Sequence, residues 1–198
     1  MINSYPAVIP AAGRSHRMGT PKALLDAGGR SFLARILSSL QEGGAGPLFV
    51  VVRDMDEPVA REAREHGGEA ILNPDPTTGP VSSLQAGIRS LPEQAAAVLF
   101  APVDHPLFSP DTVRTLIRGF VETQAPLVVP AFEGWRGHPV LFGRVLFPEL
   151  LEKDLPEGAR TVVRRYLDHR VQLQVEDPGI LADLDTPEDY RKHFPIGK

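Results

Sequence analysis

A chain of 198 residues with no cysteine and a formal net charge of −4 excludes a disulfide scaffold, a thiolate metal site and a cysteine nucleophile. The mild acidity argues against a general nucleic-acid binder, and no apolar run approaches the ~20 residues of a membrane helix. The length fits one domain over residues 1–198, able to bury roughly 70% of the surface its unfolded chain exposes. The opening stretch MINSYPAVIPAAGRS lacks the basic region of a secretory leader. With the absence of cysteine, this sets the expectation of a cytoplasmic protein.

Apolar runs alternate with segments of helical period. Residues 5–11 (YPAVIPA) read as a buried strand, followed by the glycine-rich basic loop AGRSHRMGTPK. Residues 32–41 read as a helix, with Leu33, Ile36, Leu37 and Leu40 on one face and Ser31 as its N-cap. Residues 48–52 (LFVVV) predict a second strand, 58–65 a short polar helix and 69–72 a third strand. NPDPTTGP at 73–80 is a loop by composition. A helix over 81–91 and a strand over 96–101 follow. Residues 109–123 form the clearest helix: Ser109 caps it, Pro110 opens it, and Val113, Leu116, Ile117, Phe120 and Val121 form its stripe. Strands are expected at 127–130, 171–175 and 181–184, with helices at 145–151 and 159–168 between them. The stretch 132–143 holds a turn between two extended pieces. Thr186 caps a last helix, with Pro187 first and Asp189 three residues on. Strands spaced by helices predict an α/β protein with a mixed, mostly parallel sheet and an antiparallel element after residue 130.

In open α/β sheets ligands bind beyond the carboxyl ends of the strands. The loop after the first strand carries Gly13, Arg14, Ser15, Arg17, Gly19 and Lys22. Glycines let backbone amides turn toward an anion, and the cations supply charge for phosphate oxygens. The spacing is neither G-x-x-x-x-G-K-[ST] nor G-x-G-x-x-G. Asp104 follows the fourth strand directly, and Asp183 and Asp185 end a later one. Carboxylates with open positions suit magnesium, and phosphate-binding cations beside them suit metal-assisted phosphoryl chemistry. The alternative for Asp183 and Asp185 is a cap on the last helix. His138 and Arg136 lie beside the single tryptophan, Trp135, which either stacks on a flat ligand or packs on the sheet edge.

The stretch PAAGRSHRMGTPKALL at 10–25 resembles the signature of the nucleotidyltransferase superfamily, L-A-A-G-x-S-x-R-M-G-x-x-K-x-L. TTGPVSSLQAGI at 77–88, VDHP at 103–106, RGHPVLFG and DLDTPED look like the molybdenum cofactor nucleotidyltransferases, and most like their cytidylyltransferase branch. The resemblance spans residues 6 to about 193. It implies a Rossmann-like three-layer sheet of about seven strands and a magnesium-dependent transfer of CMP from CTP to the terminal phosphate of a molybdopterin-type acceptor. By analogy the backbone of Ala11 and Ala12 reads the base, since the cytosine branch has A-A-G where the guanine branch has A-G-G. Asn73, Gly79 and Ser83 close over base and ribose, and residues from Gly13 through Arg14 and Ser15 to Arg17 hold the β- and γ-phosphates. Lys22 and Arg17 balance charge during transfer. Asp104 binds Mg2+ with Asp185 or Asp183, and His138 and Arg136 face the pterin. The product would pass to a molybdoenzyme or its chaperone, with no nucleic acid or membrane involved. Two positions depart from the pattern: Pro10 stands where leucine is common and lacks an amide hydrogen, and His105 follows the aspartate where an apolar or amide residue is usual. Guanylyl transfer, transfer to a sugar or hydroxy-acid phosphate, and a non-catalytic nucleotide-binding protein are the alternatives.

Overall fold

The computed structural model describes residues 4–13, 20–55, 57–76 and 79–194. β1 (Ala7–Pro10) is followed by a 3-10 turn at Lys22–Leu24 and then α1 (Phe32–Glu42), β2 (Leu48–Val52), α2 (Pro58–Glu65), β3 (Glu69–Leu72), α3 (Pro80–Arg89), β4 (Ala97–Phe100) and α4 (Pro110–Thr123). The second half runs β5 (Leu127–Phe132), β6 (Trp135–Arg136), β7 (Val140–Gly143), α5 (Phe147–Leu150), α6 (Ala159–Arg165), β8 (Arg170–Gln174) and α7 (Pro187–His193).

The helices form where the sequence places a cap before an apolar stripe. The Ser31 hydroxyl accepts from the Ala34 amide at 2.9 Å, and Leu33, Ile36, Leu37 and Leu40 are all fully buried. Each such aliphatic side chain contributes about 1.5–3 kcal/mol of transfer free energy. Ser109 caps α4 in the same way, with Thr112 N at 3.3 Å. Val121, expected in that stripe, is instead 50% exposed. Thr186 and Asp189 form the reciprocal capping box at the start of α7.

Alternate residues of the central strands face opposite layers. Ile9, Val50 and Leu99 pack with Leu33, Leu37 and Leu116 on one side. Val8, Phe49, Val51 and Val98 pack with Leu84 and Phe142 on the other. The result is a three-layer α/β fold. β2 lies between β3 and β1, and β1 lies between β2 and β4, all parallel. β7 then joins β4 and β5 by antiparallel pairing. β5 pairs in parallel with β8 and folds back on β6 at Ala131 and Phe132. The described residues thus form eight strands, with the two extended pieces expected within 132–143 supplying β6 and β7. Because the chain leaves β1 toward β2 on one side and is met by β4 on the other, a crevice opens beyond the carboxyl ends of β1 and β4.

The strand expected at 181–184 is a correction. Pro178–Leu181 form a 3-10 turn and the following residues run extended without a ladder. Instead of strand neighbours, this segment has point contacts with three other parts of the fold. Ile180 O accepts from His138 N at 3.0 Å, and Leu184 N donates to Asp104 O at 2.9 Å. Two glycines permit the approach: a Cβ on Gly137 would sit 2.1 Å from Ile180 O, and one on Gly179 2.0 Å from Leu107 O. The buried Asp177 carboxylate fixes the turn to the start of α4. It accepts from Ser109 N at 2.7 Å, Thr112 Oγ1 at 2.6 Å and Gly179 N at 3.0 Å. Replacing Asp177 with alanine strands these donors, and hydrogen bonds to a charged partner are each worth about 1.5–3 kcal/mol. Asp177→Ala is therefore expected to lower the unfolding free energy by about 2 kcal/mol or more. Urea denaturation reads this as a lower midpoint at constant m, and an unchanged midpoint would remove Asp177 from this anchoring role.

Candidate functional site

The crevice is a cleft of about 740 Å³. Its floor is the end of β1 and the backbone beyond it: Pro10, Ala11, Ala12 and Gly13. Ala11 and Ala12 are nearly buried, at 9% and 4% exposure. Their backbone is fixed. Ala11 N donates to Val51 O at 2.8 Å, and the Arg53 guanidinium donates to Ala12 O through Nε at 3.2 Å and Nη2 at 3.0 Å. The expectation that these two residues read a base therefore narrows, since one amide and one carbonyl are already engaged. Arg53 has no motif around it that would have drawn attention in the sequence.

One wall carries charge. Lys22, in the 3-10 turn, is ion-paired with Asp185. Asp104, Asp183 and Asp185 each place an oxygen within 4.8 Å of the others. Burial, Asp104 and Asp185 push the Asp183 carboxyl above the usual carboxylate range, against the pull of His105 and Lys22. Asp104 Oδ1 is buried with no hydrogen-bond partner among the described residues. A buried carboxylate oxygen left without a donor is costly, and three oxygen donors gathered so closely suit a hard divalent cation such as Mg2+ or Mn2+. The residues therefore fit such an ion. Asp104 meets the distant Asp183 and Asp185 here through the point contacts that replace the expected strand.

Gly79 and Ser83 border the cleft at the start of α3. Gly79 takes φ 82°, a conformation that favours glycine. Asn73 is buried behind them. Its amide donates to Ser82 Oγ at 2.9 Å and Ser83 Oγ at 3.1 Å, and its carbonyl accepts from Asp75 N at 2.9 Å. Its side chain thus organises the loop, and Asn73 is not among the cleft-lining residues. Arg14, Ser15 and Arg17 lie outside the described residues.

The cleft is also lined by His105, His138, Val140, Arg160 and Val163. His105 and His138 have ring centroids 4.5 Å apart. Arg136, expected beside His138, is exposed on β6 and does not line the cleft. The tight turn at Glu133 (φ 49°) and Gly134 (φ 85°) carries that hairpin outward. Trp135 goes with it, at 74% exposure and outside the cleft lining, so it does not pack on the sheet. Sequence reasoning did not single out Arg160, and only its position at the start of a helix bordering the cleft marks it.

A crevice at the switch point of a doubly wound sheet, with a carboxylate cluster facing a lysine, defines an α/β enzyme that handles nucleotides or phosphates. The MobA-like NTP transferase domain matches residues 7–171. The chain belongs to that family and is a nucleotidyltransferase. A molybdenum cofactor guanylyltransferase of Rhizobium meliloti (strain 1021) is 31% identical, the alignment covering 94% of this chain and 89% of that protein. Rv0371c of Mycobacterium tuberculosis H37Rv superposes with a TM-score of 0.79 at 25% identity, over 96% of this chain and 97% of that one. A manganese complex of Rv0371c gives the same TM-score at 23% identity, over 99% of this chain and 100% of that one.

Burial lowers the His138 pKa from 6.5 to about 3, helped by the charges of His105 and Arg160 and opposed by a hydrogen bond with the Phe100 backbone. The unfolded chain then binds a proton below pH 6.5 that the folded chain refuses until about pH 3. Stability from this residue is complete above pH 6.5 and is lost as pH falls through that window. The raised Asp183 carboxyl acts in the opposite sense. His138→Gln is therefore expected to lose less stability than the wild type between pH 7 and pH 5 in paired urea titrations. Parallel profiles would contradict this assignment.

Proposed function

We propose that the chain transfers a nucleotidyl group from a nucleoside triphosphate to the terminal phosphate of a molybdopterin-type acceptor, releasing pyrophosphate. The observation that carries this reading is the gathering of Asp104, Asp183, Asp185 and Lys22 at one end of a single cleft. The name of the Rhizobium relative, a molybdenum cofactor guanylyltransferase, supports the acceptor class, and the manganese complex of Rv0371c supports a divalent cation. Asp104 with Asp183 and Asp185 would hold Mg2+ or Mn2+, which supplies charge neutralisation for the triphosphate.

An acceptor phosphate oxygen forms the new bond to the α-phosphorus as the bond from that phosphorus to the bridging oxygen breaks. Lys22 stabilises the charge that builds on the departing pyrophosphate, with Arg17 and the backbone from Gly13 through Arg14 and Ser15 around the outer phosphates. Gly79 and Ser83 border the base and ribose, and Asn73 holds their loop in place. A phosphate monoester is already ionised near neutral pH, so no general base is assigned.

For the base, we favour cytosine. Ala12 lines the cleft, and the Arg53 clamp on its carbonyl holds that backbone in place. The second reading is guanine, which the name of the Rhizobium relative favours. Thermal denaturation with CTP, GTP, ATP and UTP, each with and without Mg2+, separates them, because a ligand of the native state raises the melting temperature by mass action. CTP with Mg2+ is expected to give the largest shift, whereas a larger shift with GTP would overturn the cytosine assignment. Ala12→Gly removes the methyl and should move the CTP-to-GTP preference toward GTP by about tenfold, the scale of one methylene in a pocket.

The catalytic roles have their own test in turnover. Asp104→Ala is expected to reduce metal-dependent turnover by about 10²–10³-fold. Lys22→Ala should lower kcat more than it weakens nucleotide binding. Unchanged turnover in both variants would contradict the reading.

A further inference from the structure

The cleft carries positive charge on two different elements, at Lys22 in the 3-10 turn and at Arg160 in α6. Lys22 pairs with Asp185. Asp183 lies next, feeling Lys22 and Asp185 as well as His105. The His105 ring is 4.5 Å from that of His138, and His138 feels the charge of Arg160. All six side chains line the one cleft. Across it the order is therefore cation, carboxylates, imidazoles, cation.

Arg160 stands apart from the other arginines of α6. Arg164 pairs with Glu157 at 2.6 Å, and Arg165 with Glu149 at 3.0 Å and Glu152 at 3.2 Å. Arg160 has no ion-pair partner among the described residues, although Glu157 borders the same cleft. Beside it, Nδ1 of both His105 and His138 is buried without a hydrogen-bond partner among the described residues. This part of the cleft therefore has an unneutralised guanidinium charge and an uncommitted His105 nitrogen, with no carboxylate paired to either, while the neutral His138 ring, hydrogen-bonded to the Phe100 backbone, walls it.

We propose, building on the nucleotidyl-transfer reading above, that Arg160 and the His105–His138 pair form a second anion subsite, which holds the phosphate of the acceptor. The guanidinium fork matches two phosphate oxygens at once, which a lysine cannot do. The placement also fits the reaction. An in-line displacement brings the attacking oxygen in opposite the leaving group. With pyrophosphate leaving at the Lys22 end, the acceptor enters from the Arg160 end, and the carboxylate cluster lies between the two. Arg160 thus takes the acceptor-side role that the sequence had given to Arg136. His105 and His138 set the depth to which the phosphate enters, and their rings separate its charge from Asp183.

The test is calorimetric titration of the full chain, saturated with Mg2+ and a non-hydrolysable analogue of the nucleotide that gives the largest thermal shift. The probes are 6-hydroxymethylpterin phosphate and phenyl phosphate, each beside its dephosphorylated form. The wild type is expected to bind a phosphorylated probe roughly 10- to 100-fold more tightly than its partner, the scale of charge-assisted hydrogen bonds. Arg160→Ala should abolish that discrimination, Arg160→Lys should restore part of it, and His105→Gln should weaken it, while the thermal shift with nucleotide stays unchanged in all three. Discrimination that survives in Arg160→Ala, or a wild type that shows none with either pair, would overturn the subsite. Discrimination confined to phenyl phosphate, and lost in Arg160→Ala, would support the subsite while overturning the pterin as acceptor.

Discussion

Three carboxylates with oxygens within 4.8 Å of one another repel, and much of the surrounding structure serves to hold them together against that repulsion. Two unit charges at 4 Å interact by about 4 kcal/mol at an effective dielectric constant of 20. Lys22 offsets part of this through Asp185, while burial first, and then Asp104 and Asp185, raise the Asp183 carboxyl. The cluster persists because the backbone is constrained independently of it. Asp104 follows a core strand directly. Asp183 and Asp185 are carried by a segment that Asp177, Gly137 and Gly179 fasten to the start of α4 and to the loop before β7. A site whose side chains repel one another but whose backbone cannot relax is arranged to receive positive charge.

Elements governed by local patterning were legible in the sequence. The stripes of α1 and α4, their serine caps and the capping box of α7 appear where the residues place them, because helix period and capping depend on neighbours three and four positions away. The central strands were legible because buried parallel strands read as continuous apolar runs. The misreading at 181–184 came from the same logic. Leu181 and Leu184 lie in an apolar stretch, but Leu184 is buried against Ala27 and Phe32 rather than in a sheet. Leu181, by contrast, is 36% exposed.

The candidate site was legible in its residue types and not in its grouping. Lys22, Asp104 and the acidic turn could each be singled out, yet only the fold brings residues 22, 104 and 185 into one wall. Proximity in sequence misled at Arg136, two positions before His138, because a two-residue hairpin turns it out to solvent. Arg53 and Asp177 escaped notice because each acts through a partner far along the chain, and Arg160 because only the fold brings it to the cleft. A carbonyl clamp, a buried anchor and an unpaired cleft cation carry no local signature.

The account rests on the carboxylate cluster being a cation site that works with nucleotide. The most direct measurement is titration of the full chain with Mn2+, followed by the electron paramagnetic resonance signal of the free ion, with and without CTP. The wild type should bind one Mn2+ more tightly in the presence of nucleotide, and Asp104→Ala and Asp183→Asn should each weaken that binding. Equal binding by wild type and both variants would contradict the account.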